Sequence, residues 1–427
     1  MRALLLTVGS QGDVQPFVAL ARRLRTDGHE AILAAPALYR GLAEACDVPF
    51  APLDLDLDRL GAALAGRSGL RHLLTFYRSL GRAIPALLPG VTAAAREGAD
   101  LVVHHPVLPL GQHLAEFLGV PAVVAQPQPA LVPTREFASA AWPCRVPGLL
   151  NRPSYRAARA LSGVWGRADI ERWRRNVLWL PPRPSGRDPL RAPGRDPLRA
   201  PGGGPVPVLH AYSAHVVPRP ADWPASAHVT GYWSLPAPAA PPRRLAEFLE
   251  GDDPVVYLGF GSMPGPDSGL LADALQTAAD RHGLRAVVAS PSAALRRLLP
   301  AGRFLVIRQA PHDWLFPRVR AVVHHGGAGT TGAAVTAGRP QVIWPFGVDQ
   351  HFWARRMTGL GVAPPARPVR ALTGPALAAA LGQALGDPRL AAAARDLGDR
   401  VRAEDGCGAA VARLERLTAG VREAVQA

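Results

Sequence analysis

Short apolar runs alternate with segments of helical periodicity along nearly the whole chain, and this alternation constrains the fold more than any other feature. "ALLLTV" (3–8) reads as a fully buried strand. Val14, Phe17, Val18, Ala21 and Leu24 then recur at helical spacing, with Pro16 tolerated in the first turn and Gly28 closing the segment. The pattern returns at "AILAA" (31–35), "LVVHH" (101–105) and "AVVAQ" (122–126). It returns again at "PVVYLGFGS" (254–262), "RAVVAS" (285–290), "RFLVIR" (303–308), "AVVHH" (321–325) and "PQVIWP" (340–345). Strands joined through helices form parallel sheets with helices on both faces, so the fold class is α/β, two doubly wound sheets in tandem.

Composition marks the joints. Residues 181–207 are rich in Pro, Gly and Arg, and "GRDPLRAP" occurs twice in succession, at 186–193 and 194–201. An octapeptide duplicated in such a context reads as a solvent-exposed loop insertion. A second Pro-rich stretch, "LPAPAAPPRR" (235–244), reads as the interdomain linker. The expected organisation is an N-terminal domain over 1–234 and a C-terminal domain over 245–408. A terminal helix over 409–427 would pack back on the first domain.

The formal charge is +15, and all 48 basic residues are arginine. No dense basic run interleaves with aromatics, so nucleic acid is not an expected partner. An arginine surface leaves peripheral membrane contact open. No apolar run reaches the ~18–20 residues of a membrane span. The start, "MRALLLTVGSQGD", has one Arg, a short apolar run and no small-residue cleavage site, so it reads as a buried strand in a cytoplasmic protein. Cys46, Cys144 and Cys407 are far apart and form no CxxC, which argues against a disulfide framework or structural zinc.

The chemistry concentrates at strand ends. In "AVVHHGGAGTTGAAVTAGRPQVIWPFGVDQHFW" (321–353) a buried strand ends in His324 and His325. Gly326, Gly327, Gly329, Thr330 and Thr331 follow, and then a small-residue helix. Free N–H groups at a helix N-terminus, with glycines allowing close approach, suit a diphosphate; a Gly-rich turn capped by threonine is the plain alternative. "GFGSM" (259–263) is a second Gly-rich strand end on the same sheet edge. Asp349 and Gln350 form an acceptor–donor pair suited to sugar hydroxyls, or simply cap the helix that follows. Asp54, Asp56 and Asp58 alternate with leucines and mimic a metal-binding DxD; strand periodicity makes them an alternating surface segment instead. His104 and His105 end a strand without an assigned role.

These motifs resemble, in order, the signature of inverting nucleotide-sugar glycosyltransferases of the GT-B fold. "GSQGDVQP" (9–16), "GFGSM", "APHDWLFP" (310–317), "HHGGAGTT" and the "DQ" after "WPFGV" are most similar to the branch of sterol 3-β-glucosyltransferases and vancomycin-group antibiotic glycosyltransferases. The resemblance implies two Rossmann-like domains facing a cleft, acceptor on the N-terminal one and nucleotide sugar on the C-terminal one. It implies Asp13 as general base with Ser10 beside it. It places His324, Gly327, Ala328, Gly329, Thr330 and Ser262 on the donor diphosphate, Gln309 and Ala310 on the base, and Asp349 and Gln350 on the sugar. Phe76, Tyr77, Phe137 and Trp142 are candidates for an apolar acceptor pocket. A UDP- or dTDP-linked sugar is then the co-substrate, with no metal and no resident cofactor, in a monomer or homodimer acting on a small molecule. The duplicated loop at 186–201 departs from the family pattern. Rival readings are a nucleotide-sugar epimerase of the same fold and a non-catalytic nucleotide-sugar-binding protein.

Overall fold

The structure is a computed structural model that describes residues 1–64, 69–142, 146–162, 166–181, 198–200, 203–236, 242–251, 253–261, 267–347 and 349–426. The chain divides into two compact units, Met1–Leu235 with Asp405–Ala427, and Pro236–Glu404.

The first unit carries a seven-stranded parallel sheet. Its strands are β1 (Arg2–Leu6), β2 (Glu30–Pro36), β3 (Phe50–Leu53), β4 (Leu101–His104), β5 (Ala122–Gln126), β6 (Val208–His210) and β7 (Ala227–Val229), in the order β3-β2-β1-β4-β5-β6-β7. Alternate residues of β1 enter different cores. Ala3 and Leu5 pack with Val14, Phe17 and Leu24 of the helix Gln11–Thr26, whereas Leu4 and Leu6 pack with Leu87 and Val91 of the helix Gly69–Arg96. Both faces of the strand are covered, which is why it reads as a continuous apolar run. The C-terminal helix Gly406–Gln426 places Ala410, Val411 and Leu414 in the first of these cores, each 2% exposed or less. Burying a leucine side chain is worth about 1.5–3 kcal/mol. Arg23 pairs with Asp405 at 2.8 Å at the start of this segment.

The second unit carries β8 (Val255–Gly259), β9 (Arg285–Ala289), β10 (Phe304–Ile307), β11 (Val322–His324) and β12 (Gln341–Ile343), all parallel, in the order β10-β9-β8-β11-β12. In both sheets the order reverses beside the first strand, between β1 and β4 and between β8 and β11. Those reversals are where ligands sit at the carboxyl edge of open α/β sheets.

One reading changes. The alternating aspartates are not a strand: β3 ends at Leu53, and Asp56 Oδ1 accepts the Arg59 N–H at 2.8 Å, capping the helix Leu57–Leu64. A local cap here overrides the period-two pattern. Strands β3, β6 and β7 carry weak sequence signals, β3 being four residues with an internal proline and the other two only three residues each. Of the duplicated segment 186–201 only residues 198–200 lie among those described, and linker residues 237–241 lie outside them.

Candidate active site

The first constellation sits at the β1/β4 reversal. β1 leads through Thr7 to Gly9, which turns at φ 127°, and Ser10 caps the helix Gln11–Thr26. Asp13 occupies the third position of that helix. Its Oδ2 accepts both the Ser10 backbone N–H and the Ser10 hydroxyl, each at 2.9 Å, and the Thr7 hydroxyl donates to its carbonyl at 3.0 Å. A side chain on Gly9 would strike this carboxylate, so glycine is needed there for space as well as for conformation. Asp13 remains 26% exposed, enough for a ligand to reach it. Burial raises its pKa above the ordinary carboxylate value, while the two Ser10 hydrogen bonds pull the other way.

His105, which follows β4, is the neighbour that sequence reasoning named without a role. Its N–H donates to the Leu6 carbonyl at 2.9 Å, tying it to the end of β1. The ring is 1% exposed, and its Nε2 stands 3.8 Å from Asp13 Oδ1. Burial lowers its pKa to about 3, so it is neutral near pH 7. The signal available in sequence was its position: the residue just past a buried strand adjoining β1.

The aromatic candidates are less convergent. Phe76 and Tyr77 meet edge to face at 5.4 Å on the helix Gly69–Arg96, and Phe76 packs against the core beneath. Burial raises the Tyr77 hydroxyl to about 12. Phe137 lies edge-on to Trp223 at 6.5 Å, and its carbonyl accepts the Tyr155 hydroxyl at 3.3 Å. Trp142 is half-buried, its N–H donating to Ser139. The described contacts join Ser10 to Asp13 and Phe76 to Tyr77, but join none of these rings to the carboxylate.

The second constellation sits at the β8/β11 reversal. β11 ends at His324, whose ring is fully buried. Its Nδ1 accepts the Gly326 N–H at 3.0 Å, and its Nε2 pairs with Gln341 Oε1 at 2.9 Å. Both ring nitrogens are thus used inside the unit, and burial, aided by His325, lowers its pKa to about 3. His324 therefore shapes the loop through Gly326, which turns at φ 89°; a Cβ there would come within 2.9 Å of Ile343 and 3.0 Å of the Gln350 carbonyl. Gly327 caps the helix Ala328–Thr336, and the Thr331 N–H closes the first turn onto the Gly327 carbonyl at 2.9 Å. The N–H groups of Ala328, Gly329 and Thr330 have no partner within such a helix, and these residues are half-buried or exposed. That is an anion-binding geometry. The His325 ring lies against both glycine turns: a Cβ on Gly261 would meet its Cε1 at 2.9 Å and one on Gly327 its Nε2 at 2.5 Å, and its pKa is lowered to about 4, chiefly by burial. Ser262 lies outside the described residues.

Gln309 is exposed and Ala310 half-buried, just past β10. After them His312 stacks on Phe316 at 4.3 Å, and its Nε2 lies 3.2 Å from the Tyr257 hydroxyl. Asp349 starts the helix Gln350–Gly359, and its Oδ2 accepts the Trp353 indole N–H at 3.0 Å. Gln350 is 5% exposed, and its Oε1 accepts the N–H groups of Phe346 at 2.7 Å and Gly347 at 3.2 Å. Its amide oxygen thus holds the loop that follows β12. Gln350→Leu should strand both N–H groups, costing about 1–3 kcal/mol and lowering the melting temperature by several degrees. A melting curve unchanged from the native protein would remove that stapling role.

Among the described residues no three His, Cys, Asp or Glu side chains stand close enough to hold a metal ion, and no helix is long and apolar enough to cross a membrane.

Residues 3–133 match the glycosyltransferase family 28 N-terminal domain, and residues 286–417 match the C-terminal domain of erythromycin biosynthesis protein CIII-like proteins. The chain is 35% identical to O-mycaminosyltylonolide 6-deoxyallosyltransferase of Streptomyces fradiae, covering 95% of each. The chain belongs to the GT-B glycosyltransferases. It is an enzyme that moves a sugar from a nucleotide-sugar donor to a small-molecule acceptor. This glycosyltransferase is also 32% identical to the sterol 3-beta-glucosyltransferase UGT80B1 of Arabidopsis thaliana, over 97% of this chain and 68% of that one. It spans 30% of the length of the sterol 3-beta-glucosyltransferase of Aspergillus clavatus, at 32% identity. Its fold matches the glycosyltransferase SnogD of Streptomyces nogalater with a TM-score of 0.68 at 23% identity, covering 98% and 99% of the two chains. It matches the glycosyltransferase VinC in complex with dTDP at 0.67 and 20% identity, covering 98% and 99%.

Proposed function

We propose that this enzyme is an inverting transferase that moves a hexose from a UDP- or dTDP-sugar to a hydroxyl of a lipophilic acceptor, with Asp13 as general base. The observation that carries the reading is the Asp13 carboxylate: one oxygen is held by two Ser10 hydrogen bonds, the other is free of them, and the group is open to a ligand. The free oxygen, Oδ1, takes the proton of the acceptor hydroxyl as that oxygen forms its bond to the anomeric carbon. The bond to the diphosphate breaks on the opposite face, which inverts the configuration. The charge left on the diphosphate falls on the N-terminus of the helix Ala328–Thr336, whose N–H groups are already oriented. Gln309 and Ala310 meet the base, and Asp349 and Gln350 the sugar. With His312, His324 and His325 lowered to about 4, 3 and 4, the free enzyme meets the diphosphate with dipoles and neutral N–H groups rather than imidazolium.

The relatives support a natural-product acceptor: by name one acts on O-mycaminosyltylonolide and others on sterols. Decisive is a mass-spectrometric screen of UDP-glucose, dTDP-glucose and dTDP-6-deoxyallose against O-mycaminosyltylonolide, ergosterol and a glycopeptide aglycone. A glycoside of inverted anomeric configuration is expected from at least one pair. Retained configuration overturns the inverting reading, and product from none of the lipophilic acceptors removes the lipophilic-acceptor reading.

A further inference from the structure

The carboxylate at the β1/β4 reversal has a second neighbour besides Ser10. His105 Nδ1 accepts the Val107 N–H at 3.3 Å, which places the ring proton on Nε2. That Nε2 is buried, has no hydrogen-bond partner, and lies 3.8 Å from Asp13 Oδ1, the oxygen that Ser10 leaves free. A buried N–H donor without a partner is costly. The ring has little freedom to find another. It is held behind by the backbone bond to Leu6 and on one side by Phe17, whose ring centroid is 6.1 Å away. The remaining gap is slightly longer than a hydrogen bond, and catalytic contacts of unliganded enzymes commonly tighten when substrate binds.

We propose that His105 is a positioning residue for Asp13, its Nε2–H directed at Oδ1 so that one lone pair of that oxygen is anchored and the other faces the acceptor hydroxyl. This rests on Asp13 being the base. Ser10 and His105 then hold the two carboxylate oxygens from opposite sides, one from the helix and one from the end of β4. His105 does not exchange the substrate proton, because its Nε2 already carries one and its pKa, about 3, keeps it from titrating in the working range. His104, next to His105, is buried, and burial lowers its pKa to about 4. A further titratable group close by is Tyr39, whose hydroxyl donates to the Gly9 carbonyl at 3.3 Å and whose pKa is raised by burial and then by Asp13 itself. It stays protonated at neutral pH. We assign the acid limb of kcat to Asp13, the carboxylate that His105 faces.

The test compares His105→Phe, which fills the space without a donor, with His105→Gln, whose amide can donate from a similar position. It uses O-mycaminosyltylonolide with dTDP-6-deoxyallose, or whichever pair of the screen turns over fastest. Loss of a hydrogen bond to a charged group predicts a kcat about tenfold to hundredfold lower for Phe, with acceptor KM within about twofold. A donor that favours the carboxylate lowers its pKa, so its removal raises that pKa and moves the acid limb to higher pH. Gln should recover most of kcat and the native limb. The inference is overturned by a Phe variant with native kcat or an unmoved limb. It is equally overturned if Gln is as impaired as Phe with its limb unmoved, the mark of a packing role. If Phe does not fold, His105→Leu serves in its place, with nucleotide affinity and melting temperature as the check on folding. Asp13→Asn run alongside separates the two claims. Native turnover there removes the base itself, whereas an inactive Asn variant beside a native Phe variant removes only the role of His105.

Discussion

Asp13→Asn lowers kcat by about a thousandfold or more while nucleotide affinity stays within about twofold of native. Removing a general base typically costs a factor of ~10²–10⁴. The substitution is nearly isosteric, and the remaining amide oxygen can still accept the Ser10 N–H and hydroxyl that now hold Oδ2. The helix cap is therefore kept, and the loss reports chemistry rather than folding. The amide nitrogen that replaces Oδ1 has no lone pair for a proton, and it meets the His105 Nε2–H as donor against donor. Steady-state kinetics with saturating acceptor, together with calorimetry of dTDP and UDP, check both halves of this expectation. Turnover near the native level would falsify the base assignment whatever the nucleotide does.

The second large effect is expected at the other sheet. Ala328→Asp places a carboxylate in the first turn of the helix Ala328–Thr336. Negative charge there stabilises the helix by about 0.3–1 kcal/mol through its dipole, so the melting temperature should hold or rise. The same charge repels a diphosphate and competes for the same N–H groups. Affinity for dTDP and UDP should fall by about a hundredfold or more, equivalent to about 2.7 kcal/mol. Fold stability and ligand affinity thus move in opposite directions, which a general structural defect cannot produce. Native affinity in a stable Asp variant would take the diphosphate away from this helix.

Much of the architecture was legible along the chain because it is periodic. The long strands of the two sheets are runs such as "ALLLTV" or "AVVAQ", buried on both faces and bounded by helical spacing. The segments that escaped reading are those whose local signals are weak or conflicting. Leu53, Leu55 and Leu57 alternate with Asp54 and Asp56, yet the Asp56 side chain caps a helix and ends the strand at Leu53. The candidate site was legible as residue types at strand ends, where the sheet presents them. Which atoms are free was not. Nothing in "HHGGAGTT" says that the His324 ring is spent on Gln341 and Gly326, or that the Gln350 amide oxygen is spent on Phe346 and Gly347.

By itself the sequence determined the α/β class, the parallel sense of its alternating strands and the chemistry available at each turn, because these follow from short-range spacing and from residue type. Only the tertiary structure decided that His105, ninety-two residues from Asp13, stands at its open oxygen. That meeting depends on β4 pairing with β1 in the register that sets Leu6 beside His104. Register between distant strands is a property of the packed sheet, settled by burying both faces at once, and no local spacing encodes it.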